Sequence, residues 1–173
     1  MREWIPVSTS PKGRLALTAV RQFGARPFDQ VMVGDLAAAA EVTTGAIYHH
    51  FGSKLGLYEF VREDVERRLL DRMEGAVAAG KVADRSAAVQ AALLVGFDFA
   101  VSEGFLRILG APPAGTERDR LAELLGASTA KASPVLGPVL AAAWRAALIA
   151  VAEGAKPRQA RAALLALEIR TPS

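Results

Sequence analysis

The 173-residue chain has no cysteine. That excludes disulfides, thiolate metal ligands and cysteine nucleophiles, and it suits a reducing compartment such as the cytoplasm. It has only two histidines, and they are neighbours, His49 and His50. Adjacent positions on a helix point apart, so the two do not make a metal pair. Aromatic residues are few, with seven Phe, two Trp and two Tyr. No segment alternates with period two for long enough to read as a paired strand. Paired carboxylates beside a histidine, a nucleophile with its base and a phosphate loop are all missing, so no enzyme and no cofactor are expected. The opening MREWIPVSTSP lacks a basic start followed by a long apolar run, so no signal peptide is expected. The most apolar stretch, 135–151, is interrupted by Gly137, Pro138 and Arg145, and no membrane association is expected from it.

What remains is a chain rich in Ala, Leu, Arg and Glu, 51% hydrophobic, which predicts an all-α fold. The formal net charge is +3 and the isoelectric point about 9.6, which permits a nucleic-acid partner without demanding one. Residues 1–54 hold six Lys/Arg against four Asp/Glu, and residues 55–173 fifteen against fourteen. The positive charge therefore leans slightly toward the N-terminal third.

Spacing and punctuation predict about nine helices. Residues 1–10 read as an irregular arm. Ser10 and Pro11 start a helix that carries Leu15, Ala16, Ala19, Val20 and Phe23 and stops at Gly24. Val33, Leu36, Ala37 and Ala40 mark a short second helix. A tight connection at Glu41–Val42–Thr43 leads to a third through Phe51. Ser53 caps a long fourth helix over 54–79, and a linker spans 80–85. Further helices are expected over 86–102, 105–109, 116–131, 134–153 and 157–169, with a loop at Ala111–Gly115. The natural division is 1–53 and 54–173.

Two short helices joined by a tight turn and braced by a preceding helix form a helix-turn-helix arrangement. The second of the pair needs an apolar arc to seat it and a polar or small arc to face a duplex. In 43-TTGAIYHHF-51, Ile47 and Phe51 form the anchoring arc. Thr43, Thr44, Gly45, Ala46, Tyr48 and His49 occupy the wider one. Gly45 allows close backbone approach, and the Thr43 and Thr44 hydroxyls sit at a helix N-terminus, where phosphate is favoured. Lys54 adds a cation at the next helix start, and His50 reads equally as a structural residue or a phosphate contact.

Residues 28–61, FDQVMVGDLAAAAEVTTGAIYHHFGSKLGLYEFV, resemble the DNA-binding signature of the TetR/AcrR family of transcriptional regulators. Phe28, Val33, Leu36–Ala37, Ala40, Val42, Gly45, Ile47–Tyr48, His50–Phe51, Ser53–Lys54 and Leu57 carry the match. The resemblance implies a homodimeric, ligand-responsive repressor that grips palindromic double-stranded operator DNA through Thr43, Thr44, Gly45, Ala46, Tyr48, His49 and Lys54. Thr44, Ala46 and His49 are the expected base readers. Val31 and Met32 stand where the family has a Thr or Ser before helix 2, and Gly34 replaces a polar residue. Gln22 stands at an apolar position of helix 1, and Leu55–Gly56 replaces acidic residues. A ligand-binding or protein-interaction module with a weakened head is the alternative.

For residues 54–173 the resemblance implies a pocket for an unidentified small-molecule effector between helix 4 and helices 5 to 7. The candidate walls are Met73, Val77, Leu93, Phe97, Phe105, Leu109 and Leu124, which read equally as ordinary core. Asp98 reads as an effector contact or a solvated position. Leu140, Ala143, Trp144, Ala147, Leu148 and Val151 form one broad apolar face, and Ala163, Leu164 and Leu167 another. These are the expected dimer interface, with packing inside the monomer as the alternative.

Overall fold

The structure, a computed structural model, describes residues 9–80, 85–113, 118–129, 133–167 and 169. The expected arm over 1–8, the middle of the 80–85 linker and Ala114–Gly115 lie outside the described residues. So do the outer ends of the expected 116–131 helix and residue 168. Among the described residues there are nine α-helices, one 3-10 turn and no strand.

The N-terminal head contains α1 (Pro11–Ala25), α2 (Val33–Ala39) and α3 (Thr44–Phe51). Ser10 starts α1 as its composition predicts: its Oγ accepts the Gly13 amide at 3.0 Å, and Pro11 needs no partner for an amide it lacks. The helix does not stop at Gly24, however, but runs to Ala25. Gly24 has a different purpose, because a Cβ there would stand 2.1 Å from the carbonyl oxygen of Gly104. The missing side chain is what lets α1 touch the turn after α5. A 3-10 turn at Phe28–Gln30, which no local signal announced, joins α1 to α2.

The long α4 (Lys54–Ala79) starts where expected, with Ser53 Oγ accepting the Gly56 amide at 2.9 Å. The body adds α5 (Arg85–Glu103), α6 (Leu106–Gly110), α7 (Arg120–Ser128), α8 (Leu136–Ala152) and α9 (Pro157–Leu165). The last three are shorter than their periodicity suggests. Asp119 starts α7 late by accepting the Ala122 amide at 3.0 Å, and Gly154, at φ 109°, ends the chain's run after α8.

By length and composition α5 alone among the described helices is apolar enough to cross a membrane, at 19 residues and mean hydropathy 1.2. It is instead the central core helix, with Ala92, Leu93, Phe97 and Ala100 almost wholly buried. Gly96 brings α4 close, since a Cβ there would meet Met73 Sδ at 2.8 Å. Trp144 of α8 is completely buried, and its indole donates to the Leu93 carbonyl at 3.0 Å, so its one polar atom is satisfied. One hydrophobic cluster runs from Leu15, Phe23 and Ile47 in the head to Trp144 and Leu164 in the body.

Two carboxylates, Asp64 in the core and half-buried Asp119, respond oppositely to their surroundings. Burial pushes Asp64 on α4 up despite its pairing with Arg67, and its Oδ2 is buried without a hydrogen-bond partner. Burial also pushes Asp119 upward, but the Arg145 fork at 2.6 and 2.7 Å and the Ala122 amide outweigh it. Its carboxyl is held below the ordinary value.

Three substitutions test these readings. Gly24→Ala is expected to destabilise the fold by about 1–3 kcal/mol through overpacking against Gly104, measured by urea unfolding. The favourable contribution of Asp64 is full at low pH, where it is protonated in both states, and is lost as pH rises through its elevated folded value. That of Asp119 is full above the ordinary carboxylate range, about 3.9, and is lost as pH falls through its depressed value. Between pH 3 and 7, Asp64→Asn should therefore gain on the wild type as pH rises. Asp119→Asn should fall further behind.

Candidate nucleic-acid interface

The turn between α2 and α3 is held from two sides. Glu41 adopts a left-handed φ of 55°, and the amides of Glu41 and Val42 return to the carbonyls of Ala38 and Ala37 at 3.1 and 3.0 Å. This is a Schellman ending with glutamate where glycine is the easier choice. Across the turn, Arg14 of α1 donates from Nε to the Ala40 carbonyl at 2.9 Å and from Nη2 to the Glu41 carbonyl at 3.3 Å. Its Nη1 reaches the Thr9 carbonyl at 2.8 Å. One guanidinium thus closes the turn that sets the angle between the two helices. Sequence reasoning missed it, because a lone arginine beside an apolar stripe looks like a solvated charge.

α3 is seated as its pattern predicts. Ile47 is fully buried, and Phe51 is half-buried against Phe60, with ring centroids 5.2 Å apart. Thr43, Thr44, Gly45, Tyr48 and His49 are exposed together, while Ala46 and His50 are half-buried at the edges of that arc. Tyr48 leaves 56% of its surface open, a large aromatic with no internal reason to be there. Gly45 is equally informative: a Cβ would meet only Thr43 Oγ1, at 3.7 Å. Nothing inside the chain requires glycine there, so its smallness keeps space free on the outside. Thr43 is the N-cap of α3 but makes no capping bond, which leaves its hydroxyl available outward.

Lys54, the expected cation at the start of α4, has partners within the head. Its Nζ donates to the carbonyls of Phe28 and Val31 at 2.9 and 3.1 Å and lies 4.1 Å from the centre of the Phe28 ring. It staples the 3-10 turn to α4, and its role is first to position the head. The unusual residues nearby also have internal reasons. Val31 is fully buried, and Gly56 is required because a Cβ would stand 2.1 Å from the Phe51 carbonyl, where α4 passes the end of α3. Met32 is the N-cap of α2, makes no capping bond and is 61% exposed.

In the body, the expected pocket residues Met73, Leu93, Phe97, Phe105 and Leu109 are packed into the core, with Val77 and Leu124 half-buried at its margin. Asp98 forms a fork with Arg161 of α9 at 2.9 and 3.2 Å, so it bridges α5 to α9. An open groove of about 830 Å³ lies elsewhere, between α7 and the start of α8, and Ala122, Gly126, Pro134 and Pro138 are among its walls. The expected dimer residues Leu140, Trp144, Leu148 and Leu164 lie inside the chain's own core, and Ala143, Ala147, Val151 and Leu167 are half-buried. The exposed residues of α8 and its N-cap are instead Val135, Val139, Ala142, Ala146 and Ala150.

Residues 17–61 match the family of bacterial regulatory proteins, tetR family. No curated protein matches the chain. A TetR-like transcriptional regulator from Rhodococcus sp. RHA1 has the same fold, with 21% identity and a TM-score of 0.69, over 92% of this chain and 93% of that one. A TetR-family regulator from Streptomyces coelicolor A3 aligns over 91% and 92% at 18% identity and a TM-score of 0.45.

Two variants check the local account of the turn. Arg14→Met, which keeps the stem but loses three hydrogen bonds, is expected to lower stability by about 1–3 kcal/mol. Glu41→Gly should be tolerated, whereas the β-branched Glu41→Val should be clearly destabilising at this positive φ. Thermal unfolding distinguishes these outcomes.

Proposed function

We propose that this chain, whose residues 17–61 match the tetR family of bacterial regulatory proteins, is a ligand-responsive repressor that binds a palindromic operator as a homodimer. The observation that carries the reading is the outward arc of α3, where Thr43, Thr44, Gly45, Tyr48 and His49 are exposed around a glycine with open space above it. A helix that enters a major groove needs such an arc, with hydroxyls at its N-terminus for phosphates and side chains beyond them for base edges. Ala46, at the margin, offers a methyl contact to thymine. Lys54, held on two carbonyls, supports the head and leaves phosphate binding chiefly to α3.

The dimer follows from the open arc of α8. Val135 and Val139 are 62% and 58% exposed, Ala142, Ala146 and Ala150 continue the same stripe, and Leu165 of α9 is 45% exposed. Small residues let two helices approach closely, and α8 and α9 from two copies can pack as a four-helix bundle. Two heads then face successive turns of the duplex, about 34–36 Å apart. In the repressing state the heads match the operator. An effector that binds a body with a different head separation shifts the population and releases DNA. The reading places the protein in the cytoplasm and assigns it no catalytic chemistry.

The alternative, a helical interaction module with a weakened head, draws on the exposure of Met32 and Leu55 beside α3. Salt-sensitive DNA binding separates the two readings. A mobility shift with duplex from upstream of the protein's own coding region should show a discrete complex that weakens as salt rises. Tyr48→Ala should cost about tenfold or more in affinity, about 1.4 kcal/mol, with the fold and dimer intact. Equal binding by that variant would remove Tyr48 from the interface. Ala146→Glu should shift the protein to monomers in sedimentation velocity, and an unchanged dimer would place the interface elsewhere.

A further inference from the structure

The helix proposed to enter the groove carries no lysine and no arginine: α3 reads TGAIYHHF. Positive charge reaches this helix in only one way, by protonation of His49 or His50. Those are the chain's only two histidines, and the chain has no cysteine. No other side chain here has an ordinary titration between pH 5 and 8. Both lie in the last turn of α3, where the helix dipole favours a cation.

Among the described residues neither histidine forms an ion pair with a carboxylate. α3 packs against α1, α2 and α4. On α1, Arg14 is engaged with the turn, and the Lys12 ammonium lies 5.8 Å from the centre of the Phe51 ring, beside His50. On α2, Asp35 faces Arg26 at 3.7 Å. Lys54 at the start of α4 is held on two carbonyls, and Glu41 and Glu59 are exposed. The two imidazoles are close, with ring centroids 4.8 Å apart. His49 is exposed and His50 half-buried, so His49 is the one open to a phosphate.

We propose that DNA binding takes up one proton, held at the His49–His50 pair and chiefly on His49, so that affinity for DNA rises as pH falls. The proton comes from solvent and adds to an imidazole nitrogen when α3 meets the phosphate backbone. His49 then donates from both ring nitrogens and becomes the one cationic contact on the recognition helix. This inference rests on the DNA-binding reading above.

The test is fluorescence anisotropy at fixed ionic strength, at pH 8.0 and 6.0, with a labelled upstream duplex and an unrelated duplex. The wild type should bind about sixfold more tightly at pH 6.0, as expected for one imidazole proton held about one pH unit more firmly beside phosphate. In His49→Gln/His50→Gln that ratio should fall to about one, whatever the absolute affinity. The single His49→Gln, at an exposed position, gives the same readout should the double variant unfold, and fluorescence of buried Trp144 reports folding at both pH values. A wild-type ratio near one overturns the inference and leaves DNA binding standing. A ratio that survives both substitutions also overturns it and points to another group, with buried Asp64 the first to examine. Failure to bind either duplex at low salt removes the DNA-binding reading, and the inference with it.

Discussion

What α3 can present to a partner depends on the turn that Arg14 closes. The helix is only eight residues long, and its inward grip is one fully buried side chain, Ile47, supported by half-buried Phe51. A short helix held so lightly keeps its direction only if its entry is fixed. The Schellman ending of α2 satisfies the turn's amides, and the Arg14 guanidinium satisfies the carbonyls of Ala40 and Glu41. The positive φ of Glu41 persists because both sets of bonds over-determine it.

From that turn outward, the head is joined to the body by contacts with little slack. Gly24 touches the Gly104 carbonyl region, Gly56 passes the Phe51 carbonyl, and Lys54 fastens Phe28 and Val31 to α4. Tyr58 continues the chain: it meets Phe23 and Phe28 edge-on at 5.1 and 5.2 Å. Its hydroxyl is reached by Arg62, whose other donor groups hold the carbonyls of Ile108 and Ala111 at the end of α6. The hydrophobic cluster is continuous through this junction, across the expected boundary near residue 53. The head is thereby tied to α4 and to the end of α6.

Much of this was legible along the chain because it is local. Ser10 and Ser53 announce helix starts through bonds three residues away, and the Ile47–Phe51 arc follows from one helical turn. The long-range arrangements were not legible. A glycine that ends a helix and one that admits a neighbouring backbone look alike in sequence, so Gly24 reads as a stop. Arg14 and Lys54 bond to main-chain carbonyls 23 to 27 residues away, and a carbonyl has no sequence signature. On α8, alanines surround the helix and no polar face orients it. The arc of Leu140, Trp144 and Leu148 therefore reads as outward, although Trp144 finds its partner in the carbonyl of Leu93 inside. The expected pocket met the same ambiguity, since an aromatic stripe fits a cavity wall and a filled core equally well.

The central claim is that the exposed arc of α3, presented twice by a dimer, recognises a specific duplex. Affinity selection from a random double-stranded DNA pool tests it most directly, since it assumes no operator in advance. The account predicts enrichment of two inverted half-sites whose centres lie about one helical turn, 34–36 Å, apart or a multiple of that. A pool that converges on a single half-site would contradict the dimeric arrangement. One that never converges, from a protein that retains no DNA as salt is lowered, would contradict the claim itself.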